Sequence, residues 1–302
     1  MPAVSIIMNV RNGAATLRAA LDSALAQTFS DWELIVWDDC STDNSAAIVA
    51  EFTDARIHYL PAPQQTALGQ ARDAAIRRAK GEWLAFLDQD DLWLPRKLEL
   101  QLALADSRDI GLIYGRTICF SPGGGQHDYD PFHEFGALPE GDITAELLGK
   151  GCFIAMSSAL LRRAAFDGTG GIPKHIHITP DYFLYLAACN KYSARAVQEV
   201  VCRYRVHAGS MTSVYRHESL EETLQLVDDW RCQVSPREFS RRRAHICTAL
   251  ALEELRHCNS FLRGMRRLMQ EGSLLWLAGR PFVHFWRIVR RKLRKPYWKE
   301  SK

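Results

Sequence analysis

Apolar positions in the first hundred residues switch between two periods. Residues 4–10 make a short, partly β-branched run, Val4-Ser-Ile-Ile-Met-Asn-Val10. Residues 14–25 then carry Leu17, Leu21 and Leu25 at helical spacing on one face. The same exchange repeats with a strand over 33–37, a helix over 44–52, a strand over 57–60 and a helix over 67–79. A strand over 83–87 and a helix over 95–105 follow, and Pro95 suits a first helical turn. This rhythm predicts a mostly parallel sheet covered by helices on both faces.

Beyond residue 110 the pattern loosens. Residues 110–120 read as a strand and 121–142 as a long loop rich in Gly, Pro, His and Asp, a length often associated with function. Residues 152–161 return to a sheet-like apolar pattern. Residues 181–189 read as a helix with Tyr182, Tyr185 and Leu186 on one side, and 199–206 as a closing strand. From 218 to 270 the spacing is helical. We therefore expect an α/β domain over 1–215, divided into halves 1–115 and 116–215, and a helical C-terminal region over 216–302. The chain has no internal repeat.

Composition narrows the class. Of 302 residues, 47% are apolar and 24% charged, which argues against extensive disorder. The formal net charge of +3 gives no ground for a nucleic-acid partner. Basic residues do crowd the end of the chain. Over 281–299, Phe282, Phe285, Trp286, Val289 and Leu293 share a helical face, ringed by Arg287, Arg290, Arg291, Lys292, Arg294 and Lys295. Such a segment suits an anionic membrane surface, and it equally suits a packed terminal helix with a solvated basic face.

No window approaches the ~18–20 apolar residues of a membrane span, since 274–289 is interrupted by Arg280, His284 and Arg287. The eight cysteines show no C-x-x-C spacing, so neither a zinc nor a redox motif is expected. The first residues resemble no signal peptide, and reduced thiols in a cytoplasmic protein are the expectation.

Two acidic clusters fall where predicted strands end. Trp37 runs into Asp38-Asp39-Cys40-Ser41, and Leu87 into Asp88-Gln89-Asp90-Asp91. Ligands of open parallel sheets bind outside the carboxyl ends of the strands, so the clusters can converge on one crevice. Three carboxylates within four residues repel one another unless a cation neutralises them. Mg2+ and Mn2+ prefer oxygen ligands and commonly bridge to phosphate. The competing reading is helix capping by Asp at 88–91, with Ser41 or Asp43 capping the helix after the first cluster. Asp39, at the strand end, fits a hydrogen bond to a base or ribose better than a cap.

Together these segments resemble a known family. Val4 to Gly13, Gln27-Thr28-Phe29, Trp32 to Asp39 with Ser41-Thr-Asp-Asn-Ser45, and Gly81 to Asp91 look like the family 2 inverting glycosyltransferases. The close match covers roughly the first 115 residues, and a weaker one continues to about Ser213. The resemblance implies a GT-A fold, a nucleotide-binding α/β/α sandwich with a mostly parallel central sheet, here carrying a helical C-terminal extension.

The resemblance also implies roles. Asp39 corresponds to the acid that pairs with the donor base, typically uracil. Arg72 corresponds to the arginine near the nucleotide, and Asp88 and Asp90 to the two acids of an Asp-x-Asp motif. Asp90 is then the main metal ligand, for Mn2+ or Mg2+, Asp88 lies nearer the ribose, and Gln89 belongs to the donor nucleotide site. Asp181, in Thr179-Pro180-Asp181-Tyr182, matches the catalytic base, although Pro180 replaces a usual acid. Tyr204-Arg205-Val206-His207 resembles a motif near the diphosphate and metal, which makes His207 a metal or diphosphate contact. Asn9 stands where Pro is usual and Arg11 where Tyr is usual beside the base, which leaves uracil specificity open.

The expected activity is transfer of a sugar from a nucleotide-diphosphate donor, commonly a UDP-sugar, to a hydroxyl of a glycan or lipid-linked acceptor of the cell envelope. The expected location is the cytoplasm or the inner face of the plasma membrane. Competing readings fit less well. A nucleotidyltransferase needs a glycine-rich phosphate loop that Arg11-Asn-Gly13 does not supply. A binding protein without catalysis has no need of the retained Asp88, Asp90 and Asp181.

Overall fold

The computed structural model describes residues 1–121, 136–207 and 209–256. The loop expected over 121–142 and the basic segment 281–299 therefore fall largely or wholly outside the described residues. The chain forms two compact units, residues 1–222 and 223–302.

In the first unit the alternating periods become alternating elements. These are β1 (Val4–Val10), α1 (Leu17–Leu25), β2 (Trp32–Asp38), α2 (Ser45–Ala50), β3 (Ile57–Pro61), α3 (Leu68–Ile76) and β4 (Trp83–Phe86). The strands pair in parallel in the order β3-β2-β1-β4. Along β1 the pleat sends Val4, Ile6, Met8 and Val10 to a buried cluster with Leu34 and Val36 of β2 and Leu17 and Leu21 of α1. Ser5 and Glu33 point to the opposite face. Ser5 Oγ donates to Glu33 at 2.6 Å, and both accept from the amide of Lys80.

The second half supplies β5 (Leu92–Trp93), α4 (Lys97–Leu102), β6 (Ile110–Phe120), α5 (Thr144–Lys150), β7 (Leu160–Arg162), α6 (Arg163–Asp167), α7 (Pro180–Cys189) and β8 (Ser193–Arg205). Among the described residues the sheet has eight strands, in the order β3-β2-β1-β4-β7-β6-β8-β5. β7 is antiparallel to both neighbours, β6 and β8 are parallel, and β5 is antiparallel to β8.

β4 and β5 are four places apart in that order, yet only residues 87–91 connect them. A flat sheet would separate them by ~19 Å. A turn closed by Asp91 N donating to Asp88 O at 3.1 Å is too short for that span, so the sheet curls.

Several boundaries depart from the sequence reading. β8 begins at Ser193 rather than 199, because its early inward positions are Ala194 and Ala196, which are buried but too small to give a strong apolar signal. The apolar stretch 152–161 is mostly not strand. It contains a 3-10 turn at Met156–Ser158 and contributes only the start of β7. Leu92 and Trp93, which lie between the strand read over 83–87 and the helix read over 95–105, form a two-residue strand.

After β8 come α8 (Met211–Val214) and α9 (Arg216–Asp229). The second unit takes up the rest of α9 and α10 (Pro236–Arg256). Leu226, Val227, Ile246, Cys247, Leu250 and Ala251 are its buried apolar positions, and Arg243 pairs with Asp228. The helical pattern read over 218–270 is, among the described residues, carried by α9 and α10, which a 3-10 turn at Arg231–Gln233 separates, with Pro236 in the first turn of α10. No helix among the described residues is long and apolar enough to cross a membrane. No disulfide joins any of the described cysteines.

Candidate functional site

The turns that leave β1 and β2 are laced together. Asn12 N donates to Ser41 Oγ, Gly13 N to Ser45 Oγ and Ala14 N to Asp43, each at 2.9 Å. Asn12 Oδ1 accepts from Thr42 N at 2.8 Å. Asn12 and Cys40 both have positive φ, at 50° and 60°, a conformation that Asn tolerates better than most residues. Asp43 accepts from both N and Oγ of Ser45 at the start of α2, but the residue in the N-cap position is Asn44 and it makes no side-chain cap bond.

The two acids ending β2 differ. Asp38 accepts from Ser41 N and Tyr59 Oη, so it holds the turn. Asp39 is buried, and its Oδ1 accepts from Thr66 N at 3.0 Å. Oδ2 faces the Arg11 guanidinium at 3.7 Å. Arg11 is 44% exposed, so the pair contributes at most ~1 kcal/mol, too little to hold the arginine against a ligand.

Gln89 joins this region to the acidic turn. Its Oε1 accepts from Arg11 N at 2.9 Å, and its Nε2 donates to Arg11 O at 3.1 Å. A Cβ on Gly13 would come within 2.4 Å of Gln89 Oε1, so glycine is what lets the amide approach. The Gln89 side chain, read as part of the donor nucleotide site, is engaged with the backbone of Arg11.

Within the acidic turn each carboxylate has a separate environment. Asp88 accepts from Arg72 Nη2 at 2.7 Å, and Arg72 is buried on α3. Burial pushes the Asp88 carboxyl up against the pull of Arg72, and Asp90 and Asp181 add to the push. Asp90 Oδ2 meets His207 Nε2 at 2.8 Å, and Asp90 O accepts from Arg205 Nε at 2.7 Å.

Asp91 is fully enclosed. Its oxygens accept from Ser157 Oγ at 2.6 Å and Arg205 N at 2.9 Å, while Ser157 Oγ accepts from Asp88 N. Burial holds the Asp91 carboxyl well above the ordinary range, and Asp88 and Asp90 reinforce this. Asp91 thus fastens the turn to the end of β8 and presents no free oxygen to a ligand.

Asp181 lies in the first turn of α7, behind Pro180 at a helix-start position that needs no N–H. Burial pushes its carboxyl up, opposed by the Tyr182 amide, Arg72 and Cys152. Cys152 Sγ lies 3.8 Å from Asp181 Oδ2. A half-buried carboxylate raised above its ordinary range, with the charge of Arg72 acting on it, is suited to general-base work.

Asn9 occupies the face of β1 opposite the α1 cluster, opposite Trp37 in the register. Both atoms of its amide, Trp37 Nε1 and Arg72 Nε are buried with no hydrogen-bond partner among the described residues. Leaving such groups unmet costs ~1–3 kcal/mol each, which a ligand with polar edges would offset.

Arg72, Asp88, Asp90, Asp181 and His207 therefore form one linked group. Arg11 and Asp39 join it through Gln89. Three contributors were not anticipated, namely Ser157, the Arg205 backbone and Glu222, whose carboxylate meets the segment just before Asp181. Their partners lie tens of residues away, and nothing local in the sequence marks them.

A divalent cation fits the Asp90–His207 pair. Mn2+ accepts both carboxylate and imidazole, and ions of this class commonly keep only one or two protein ligands beside phosphate and water. No cluster of three or more His, Cys, Asp or Glu arranged around a metal position occurs among the described residues.

Comparison with known proteins gives a consistent picture. The profile of glycosyl transferase family 2 matches residues 5–170. The Escherichia coli protein WfgD, a UDP-Glc:alpha-D-GlcNAc-diphosphoundecaprenol beta-1,3-glucosyltransferase, is 32% identical over 212 residues, covering 70% of this chain and 79% of WfgD. Among solved structures, S. aureus TarS 1-349 in complex with UDP-GlcNAc superposes with a TM-score of 0.60 at 18% identity, covering 82% of this chain and 70% of that one. The mannosyltransferase PcManGT from Pyrobaculum calidifontis, in complex with GDP-Man and Mn2+, gives 0.62 at 18% identity, covering 96% and 84%. At these identities the structural likeness concerns the fold.

Proposed function

Because the chain belongs to glycosyl transferase family 2, we propose that it moves glucose or a related sugar from a UDP-sugar to a hydroxyl of a lipid-linked saccharide, with inversion and with Asp181 as base. The observation that carries this reading is the single electrostatic group formed by Arg72, Asp88, Asp90 and Asp181. Support for the donor and acceptor classes comes from WfgD, whose name specifies UDP-Glc and a GlcNAc-diphosphoundecaprenol.

In this mechanism Asp39 accepts a hydrogen bond from the base through Oδ2, and Arg11 swings from Asp39 to stack on the base or to meet a phosphate. Asn9 meets polar edges near the nucleotide. Arg72 holds Asp88 ionised and oriented toward the ribose, while Gln89 fixes the backbone that presents Arg11. Asp90 and His207 hold the divalent ion, Mn2+ or Mg2+, which when bound neutralises charge on the departing diphosphate. Arg205, anchored on Asp90 O and stacked 4.6 Å from the Phe120 ring, adds positive charge nearby.

Asp181 takes the proton from the acceptor hydroxyl as its oxygen bonds to the anomeric carbon. The bond from that carbon to the phosphate oxygen breaks, and its electron pair leaves with the diphosphate. Attack opposite the leaving group inverts the configuration. The basic segment 281–299 would keep the protein at the anionic membrane surface that carries such an acceptor.

The test is a panel of UDP- and GDP-sugars, with Mn2+ or Mg2+, offered with a GlcNAc-diphospholipid acceptor. Transfer from a UDP-sugar supports the reading. Absence of transfer from every UDP-sugar, with turnover of a GDP-sugar, overturns the donor assignment. Liposome flotation of the full chain and of a chain ending at 280 tests the membrane role.

A further inference from the structure

Glu222 comes from α9, in the region the sequence reading assigned to the C-terminal helices, yet its carboxylate is directed at the segment that delivers Asp181. Oε1 accepts from His177 N at 2.8 Å. Oε2 accepts from Ile178 N at 2.9 Å, and from Thr179 N and Thr179 Oγ at 3.0 Å. Four donors converge on one anion.

The reason lies in how α7 starts. Thr179 is the residue before its first turn, but the hydroxyl makes no cap bond to the helix. It donates to Glu222 instead. Pro180 brings neither an N–H nor a carboxylate to this turn. A carboxylate ahead of the helix also complements the positive end of its dipole. Glu222 thus supplies from a distance what the local sequence lacks.

The same segment is held from its other side by α3. Gly69 N donates to His177 O at 3.2 Å, and Gln70 Nε2 to Pro173 O at 3.3 Å. A Cβ on Gly69 would fall 2.1 Å from Ile176 O, so only glycine permits this approach. One turn further along α3, Arg72 reaches Asp88. Residues 173–179 are therefore gripped between the helix that orients Asp88 and the carboxylate of Glu222.

We infer that Glu222 is a positioning residue for the transfer reaction: by gathering the amides of His177, Ile178 and Thr179 it sets Asp181 in register with Arg72 and Asp88. This rests on the assignment of Asp181 as the base. A Glu222→Gln change keeps the shape but turns half of the acceptor into a donor facing donors. A Glu222→Asp change keeps the charge on a shorter arm.

Three measurements on the full chain test the inference, namely thermal unfolding, amide hydrogen exchange at 177–179, and steady-state kinetics with UDP-glucose and a GlcNAc-diphospholipid. For Glu222→Gln we expect faster exchange at 177–179 and a kcat at least tenfold lower, with the KM for UDP-glucose within twofold of the parent. Glu222→Asp should recover part of the lost kcat. Should Glu222→Gln fail to fold, Glu222→Asp is judged by the same split. A folded variant with kcat within twofold, or with exchange at 177–179 unchanged, overturns the inference. Asp181→Asn separates it from its premise. Full activity there removes the base assignment itself. An inactive Asp181→Asn beside a fully active Glu222→Gln removes only the role of Glu222.

Discussion

The side-chain amide of Gln89 hydrogen-bonds in both directions to the backbone of Arg11, accepting at 2.9 Å and donating at 3.1 Å. Asp88 and Asp90 flank Gln89, and Arg11 faces Asp39, so this contact links the two acidic strand ends. Gln89→Ala should loosen residues 11–13 and raise the donor KM by about tenfold, roughly the ~1.4 kcal/mol expected for a net hydrogen bond or two. Gly13→Ala should displace the same amide. The double variant should then be scarcely worse than either single one, since both remove one interaction. Additive losses in steady-state KM would show that the two residues act separately.

Asp181→Asn should lower kcat by ~10²–10⁴ while leaving donor binding in place, the range for loss of a positioned base. Because burial pushes the Asp181 carboxyl up, the parent should lose activity on acidification at a pH above the ordinary carboxylate range. The ionised form is the active one, so activity rises with pH through that limb. A pH profile of kcat for parent and Asn variant checks both points, and the limb should vanish in the variant.

Asp90→Ala should abolish the response to added Mn2+. His207→Ala should raise the Mn2+ concentration for half-maximal activity by ~10-fold, as loss of one ligand of two would. Metal titrations of initial rate decide this. An unchanged metal dependence in Asp90→Ala would exclude it as a ligand.

Lys97 yields a stability prediction unconnected with catalysis. Its ammonium is fully buried, bonded to Gln101 Oε1 at 2.6 Å and placed 4.2 Å from the Trp93 ring. Burial pushes it down to about 7, from an ordinary 10.5. The unfolded chain therefore holds a proton there that the folded chain has released, so stability should climb between about pH 7 and 10.5. The gain is complete above that window and gone below it, and it amounts to a few kcal/mol at ~1.4 per pKa unit. Urea melts of Lys97→Met against the parent should show a flatter slope across the window.

The strand–helix rhythm up to residue 105 was readable because each element there has a strong periodic signal. Asp39, Asp88, Asp90 and Asp181 stood out because each falls in a short motif at the end or start of an element. What the sequence concealed was how those acids are held. Asp91 looks like a third acid of the same cluster, yet its oxygens belong to Ser157 and to the Arg205 amide. Gln89 falls between two acids of the motif, and its amide is bound to the backbone of Arg11. Glu222 lies more than forty residues from its partners, where no local pattern can announce it. β5 has only two residues, too few for any period.

The fastening of the acidic turn to the end of β8 also constrains when the protein can work during its synthesis. Asp91 and Arg205 are 114 residues apart, and Asp90 and His207 are 117 apart. A nascent chain whose first hundred residues have left the ribosome holds every acid of the donor end but lacks the strand that pins them. The acidic turn gains these partners only once residue 207 has emerged, so a chain terminated between residues 91 and 205 bears the donor-end motifs without the groups that hold them in place.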